Sequence, residues 1–116
     1  MWTLAQARKF ASSLEAALEP RGWHVALAGS VLHKGKSSKD LDLIVYPRST
    51  ATSRYLEIAN GLKAVGCSLK FSAEKVRGFW RQTSSQDRKH VEVWYFVDGS
   101  KIKRIDVFVM DRELVS

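Results

Sequence analysis

The stretch that most restricts this chain is Asp40–Tyr46, Asp-Leu-Asp-Leu-Ile-Val-Tyr, closed by Pro47. Its alternation and β-branched content predict a strand. Side chains on a strand point to alternate faces, so Asp40 and Asp42 project on one side and Leu41 and Leu43 on the other. Two carboxylates held that close repel each other, and a hard divalent cation such as magnesium or manganese relieves the repulsion. A pair of solvated carboxylates at the start of a surface strand satisfies the same spacing. On this stretch alone both readings stay open.

The flanking sequence supplies the rest of a small domain. Leu4, Ala7, Ala11, Leu14 and Leu18 recur at three-four spacing and predict a helix from Thr3 to Leu18. Thr3 and Gln6 match a capping box at its start, and Pro20 and Gly22 end it. Trp23–Ala28 reads as a short buried strand. Gly29 and Ser30 follow it and open a Lys-, Ser- and Gly-rich loop that runs to Lys39. Ser49 or Thr50 caps a predicted helix running to about Val65, with Tyr55, Leu56, Ala59, Leu62 and Val65 on one face and Gly66 as its stop. A short strand over Ser68–Phe71 and a short helix over Ala73–Gln82 follow. His90–Val97 and Ile102–Met110 are rich in β-branched and aromatic residues, and Asp98-Gly99-Ser100-Lys101 joins them as an antiparallel hairpin. The element order predicts an α/β (α+β) domain: a small mixed β-sheet, helices packed on it and a C-terminal β-hairpin. At 116 residues the chain holds one such domain, 1–116.

Further residues add to the carboxylate pair. Gly29-Ser30 follows a strand, where a glycine lets backbone approach a ligand and free N–H groups at the turn attract an anion. Lys34, Lys36 and Lys39 bring positive charge to the same loop. An anion cradle and a metal clamp ten residues apart suit a nucleoside triphosphate with its metal ions. A third carboxylate, Asp106, interrupts the apolar run Ile105–Val109, where an acidic group is costly without a partner. A metal ion, a cross-sheet Lys or Arg, or an exposed edge would each meet that cost. Glu92 on the facing strand is a weaker candidate and reads as a supporting or surface residue.

Nineteen Lys and Arg against twelve Asp and Glu give a formal net charge of +7, which favours polyanionic partners. The single cysteine, Cys67, excludes an internal disulfide and a cysteine-based zinc site, and suits a reducing cytoplasm. The polar residues Gln6, Arg8, Lys9 and Glu15 break up the N-terminal stretch, so it does not read as a signal peptide. No apolar run reaches the roughly 20 residues that span a bilayer. His24, His33 and His90 lack the spacing of a zinc site and read as surface or packing residues. Trp80, Trp94, Tyr95 and Phe96 read as core or sheet-face residues, and Cys67 as a small buried apolar group.

With these residues assembled, the chain resembles the DNA polymerase β-like nucleotidyltransferase superfamily. The resemblance is carried by Gly29-Ser30, a spacer of nine residues, Asp40-Leu41-Asp42, and Asp106 on a later strand. Ser38, two residues before Asp40, matches a frequent feature of the family. Val-Leu-His-Lys-Gly at 31–35 fits its small-helix segment, without the common Arg-Gly pair. The match covers residues 22–47 and 90–110. In length the chain is nearest the minimal, stand-alone members. The resemblance implies a nucleotidyltransferase-like fold, and a magnesium- or manganese-dependent transfer of a nucleoside monophosphate from ATP or another nucleoside triphosphate. Asp40, Asp42 and Asp106 would be the catalytic metal ligands. Gly29, Ser30, Lys34, Lys36 and Ser38 would contact the triphosphate. The acceptor would be RNA, a protein (as in antitoxin-type members) or a small molecule. It would be gripped by the surface, by a partner chain or within a homo-oligomer, with no membrane involved. Lys101, Lys103 and Arg104 on the hairpin would flank the acceptor. A non-catalytic nucleotide- or nucleic-acid-binding module is the other class, and three retained carboxylates argue against it.

Overall fold

A computed structural model describes residues 2–29, 36–37, 40–48, 55–72 and 89–110 of the chain. In order these form β1 (Trp2–Thr3), α1 (Leu4–Leu18), a 3-10 turn (Glu19–Arg21), β2 (Trp23–Ala28), β3 (Lys36–Ser37), β4 (Asp40–Pro47), α2 (Tyr55–Ala64), β5 (Cys67–Phe71), β6 (Lys89–Asp98) and β7 (Lys101–Met110). The expected caps at Ser49 or Thr50 and the expected helix over 73–82 lie outside the described residues.

Five strands form one mixed sheet in the order β2-β4-β7-β6-β5. The central pair, β4 and β7, is parallel, and the other neighbours are antiparallel. The expected C-terminal hairpin is therefore present, with β6 and β7 paired along their whole length. β1 and β3 form a separate two-stranded ladder, Trp2 opposite Ser37 and Thr3 opposite Lys36. The predicted loop thus contains a two-residue strand, which forms only because the N-terminus lies beside it.

Helix α1 starts where its capping box requires. The Gln6 N–H donates to Thr3 Oγ1 at 3.2 Å and the Thr3 N–H donates to Gln6 Oε1 at 3.1 Å. Ala7, Phe10, Leu14 and Leu18 are its buried stripe. They pack with Ile58 and Leu62 of α2 onto Leu41, Leu43, Val45, Trp94, Ile105, Val107 and Val109. Those sheet residues all belong to one face, so among the described residues both helices cover the same side. Trp2, Phe10 and Phe96 close one end of this core, with ring centroids 5.0 to 6.2 Å apart. Among the described residues no helix is long and apolar enough to cross a membrane.

Strict alternation along the strands assigns the opposite face. Asp40, Asp42 and Ile44 of β4 point there, because Leu41, Leu43 and Val45 between them are fully buried. The helices hold the mainly apolar face, and Asp40, Asp42 and Asp106 are left on the other.

Candidate active site

The β4–β7 ladder brings together residues 64 positions apart in sequence. Asp42 is the direct partner of Asp106, and Asp40 is the partner of Arg104. Asp106 lies two residues beyond Arg104 on β7, so the three carboxylates and one guanidinium share the face away from the helices. They sit on the two central strands of the sheet, the most rigid place it offers.

Arg104 Nε donates to Asp106 Oδ1 at 2.9 Å and lies 3.7 Å from Asp40 Oδ1. Burial pushes Asp42 above the ordinary carboxylate range, repulsion from Asp106 and Asp40 pushes it further, and Arg104 pulls it partly back. Burial also raises Asp106, against the hydrogen bond and charge of Arg104. Desolvation lowers the pKa of Arg104, but its hydrogen bond to Asp106 and the nearby carboxylates raise it further, so it stays charged. The site is a cluster of like charges held at partial burial, with Arg104 as a counter-ion within it.

Gly29 is built into this cluster. It has φ +71°, and a Cβ added to it would collide with Asp42 Oδ2. Ala28, immediately before it, is the ladder partner of Asp42 on the other side. The glycine after β2 thus lies against the second carboxylate of β4. Ala28, Gly29, Asp42, Ile44, Phe108 and Met110 line an open, mainly apolar pocket of about 300 Å³ beside these carboxylates.

The other anticipated triphosphate contacts fall differently. Ser30, Lys34 and Ser38 lie outside the described residues. Lys36 lies on β3 opposite Thr3. Glu92 is not a surface residue: it is buried, accepts a hydrogen bond from Trp94 Nε1 at 3.1 Å, and faces the helices with Trp94, away from Asp106. Lys103 corrects a second expectation. It too points to the helix side, 7% exposed, with Nζ 4.8 Å over the Trp2 ring, 3.1 Å from Asp98 Oδ2 and 3.3 Å from Gln6 Oε1. Of the three basic hairpin residues, Lys103 is a core residue and Arg104 belongs to the carboxylate cluster. Alternation along β7 carried this signal: residues 103 and 104 cannot share a face. His33, Lys39 and Trp80 also lie outside the described residues. His24 Nδ1 lies 2.9 Å from Glu15 Oε2, and burial pushes the Cys67 thiol up to about 12.

Asp40, Asp42 and Asp106 fit a hard divalent cation in kind and placement, being oxygen donors on one face of adjoining strands. Among the described residues, though, no three His, Cys, Asp or Glu side chains stand arranged to hold a metal ion. The carboxylates share a face without closing on a common point, and Arg104 lies between two of them.

No protein-family profile matches the chain, and no curated protein matches it in sequence. Solved structures do. The Cid1 poly(U) polymerase with MgGTP bound superposes with a TM-score of 0.60 at 16% identity, covering 97% of this chain and 33% of that one. The same polymerase with Mg 3′-dATP gives 0.56 at 16% identity, over 97% and 32% of the two chains. A cytoplasmic RNA terminal U-transferase gives 0.55 at 17% identity, over 97% and 30%. The fold of this chain is therefore the nucleotidyltransferase fold, and the chain spans about a third of the length of these neighbours.

Proposed function

We propose that this nucleotidyltransferase-fold chain is a catalytic domain that moves a nucleoside monophosphate from a nucleoside triphosphate to an acceptor hydroxyl. The observation that carries the reading is the placement of Asp40, Asp42 and Asp106 on one face of adjoining strands, with Gly29 set against Asp42. A sheet seldom places three carboxylates on neighbouring central strands, since burial and mutual repulsion both oppose it. A cationic ligand offsets those costs.

In this reading Asp40, Asp42 and Asp106 hold magnesium or manganese. When bound, the cation neutralises the triphosphate and lowers the pKa of the attacking hydroxyl. The backbone at Gly29 approaches the triphosphate closely because it carries no Cβ, and Ser30, Lys34, Lys36 and Ser38 complete its contacts. The rigid parallel pair fixes the distance between the carboxylates of β4 and Asp106, which positions the reacting groups. The apolar pocket beside Asp42 offers room for part of the nucleotide on one side.

RNA is the acceptor this reading favours. The net charge of +7 suits a polyanion, and the structural neighbours are an RNA terminal U-transferase and a poly(U) polymerase. We take residues 1–116 as one catalytic domain. Cytoplasmic placement belongs to the same proposal, supported by the single, buried cysteine.

The test is incubation of the protein with each labelled nucleoside triphosphate, magnesium or manganese, and total RNA or total protein. Label on RNA 3′ ends, lost in Asp42→Asn, is the expected result. Label on protein alone would move the acceptor to the protein-modifying class. No label in any combination, with triphosphate binding intact, would leave a binding module.

A further inference from the structure

We propose that Arg104 is a built-in counter-ion of the carboxylate cluster, which a divalent cation has to displace in order to bind. The inference deepens the nucleotidyltransferase reading and rests on it.

The geometry is specific. Arg104 faces the two carboxylates that belong to different strands, 2.9 Å from Asp106 and 3.7 Å from Asp40. A cation bridging those strands would lie in the same region. A guanidinium cannot give up its charge, and its planar fork of donors satisfies carboxylate lone pairs as a metal ion does. Among the described residues no three acidic side chains stand ready to hold a metal ion, and Arg104 contacts two of the three carboxylates that would. Displacement and metal entry are thus one exchange: the guanidinium leaves the carboxylate oxygens as the cation takes them.

The surroundings permit that exchange without moving the sheet. The Arg104 carbonyl accepts a hydrogen bond from Trp2 Nε1 at 3.2 Å, so β1 pins the backbone at this residue. The side chain is 41% exposed, so it can swing outward while the strand stays put. Tyr95, its ladder partner on β6, flanks it on the same face. Its partner Asp106 is only 11% exposed, so the carboxylate needs a cation wherever the guanidinium goes, and an incoming metal ion supplies one. Once displaced, a guanidinium at the rim of the site faces incoming phosphate groups, to which its donors are well matched.

The test uses manganese binding followed by electron paramagnetic resonance, without triphosphate, on wild type, Arg104→Gln and Lys101→Gln. The last removes the same charge from the exposed start of β7. Arg104→Gln should bind manganese at least about tenfold more tightly than wild type, and Lys101→Gln less than about twofold. In unaltered protein, the Nε–H resonance of Arg104 should be protected from exchange without metal. It should move to the position of a free arginine on titration with magnesium. That second measurement holds even if the variant folds poorly. Equal manganese affinity in wild type and Arg104→Gln, or the same gain in both variants, would overturn the displacement while leaving the metal site standing. Magnesium binding with the Arg104 resonance unmoved would overturn it too. Manganese binding by none of the three proteins would remove the metal site, and with it both this inference and the catalytic reading.

Discussion

Gly29 combines two constraints that any side chain would violate: a φ of +71° and an Asp42 carboxylate oxygen where the Cβ would stand. The left-handed conformation alone costs an L-residue roughly 1–2 kcal/mol, and the contact can be relieved only by moving Asp42. Gly29→Ala should therefore lower stability by about 1–2 kcal/mol or more in urea unfolding, and weaken triphosphate binding as well. A variant as stable as wild type would mean that the turn adopts another conformation. Asp42 itself makes a pH prediction. Its pKa is raised above 3.8, burial being the largest cause and repulsion from Asp106 and Asp40 adding to it. In the window above 3.8 the native state thus holds more protons than the unfolded chain, and stability falls as pH rises through it. Asp42→Asn removes that charge. In chelator, the variant should show a flatter dependence of melting temperature on pH between about 4 and 7, and should be the more stable protein at neutral pH. Its transfer activity should fall by more than the ~10–100-fold typical of residues that only support a metal ligand. A variant with the wild-type pH profile, or one that unfolds, would mean that the Asp42 carboxylate is stabilising where it stands.

At the scale of elements, the chain's own periodicities located α1, β2, β4, β5 and the β6–β7 hairpin, because each signal is local. A capping box closes within four residues, and strand alternation shows within six. The carboxylates of the candidate site were legible for the same reason: Asp40 and Asp42 share a face by spacing alone, and Asp106 is conspicuous in an apolar run. What stayed hidden depends on distant partners. The β1–β3 ladder exists because the N-terminus reaches a loop more than thirty residues away. The direct pairing of Asp42 with Asp106 and the insertion of Arg104 are facts of the parallel register. The face expected for α2 holds in part: Leu62 is buried and Ala59 and Val65 pack against the core, but Leu56, expected inside, is 72% exposed and Ile58 is buried instead. The stripe is obscured by Gly61, which lies on the buried face without a side chain. A Cβ there would collide with Leu18 Cδ2 of α1, and Leu18 is fully buried and has little room to turn. This predicts the outcome of Gly61→Ala. Helix propensity favours alanine by about 1 kcal/mol, while forcing a methyl group into a packed contact costs typically ~1–3 kcal/mol. The second effect should win, and the variant should unfold at lower urea concentration. A gain in stability would mean that α1 and α2 part without cost.

The whole molecule carries a net charge of +7, while its three site carboxylates share one face of β4 and β7, so a surface that meets a polyanion would be distinct from the proposed metal site. The hairpin illustrates the separation. Lys103 is held in the interior by Trp2, Asp98 and Gln6, and Arg104 pairs with Asp40 and Asp106, which leaves Lys101, exposed at the hairpin turn on the other face of β7 from the carboxylates, as the one of the three open to a ligand. If the acceptor is RNA, binding of a single-stranded oligonucleotide should weaken between about 50 and 200 mM salt with a linear log–log slope, each phosphate contact adding about −0.7. Lys101→Ala should then flatten the slope by about that amount per lost contact and leave the melting temperature close to wild type. Lys103→Ala should do the opposite. It removes the cation from over the Trp2 ring, an interaction worth about 2 kcal/mol when desolvated, and takes the ionic partner from Asp98. It should therefore lower stability and leave the salt slope of the remaining folded protein unchanged. A slope that responds to Lys103→Ala but not to Lys101→Ala would mean that the hairpin end opens to expose Lys103. RNA affinity that is absent, or indifferent to salt over that range, would remove RNA as the acceptor and put a protein or small-molecule hydroxyl in its place.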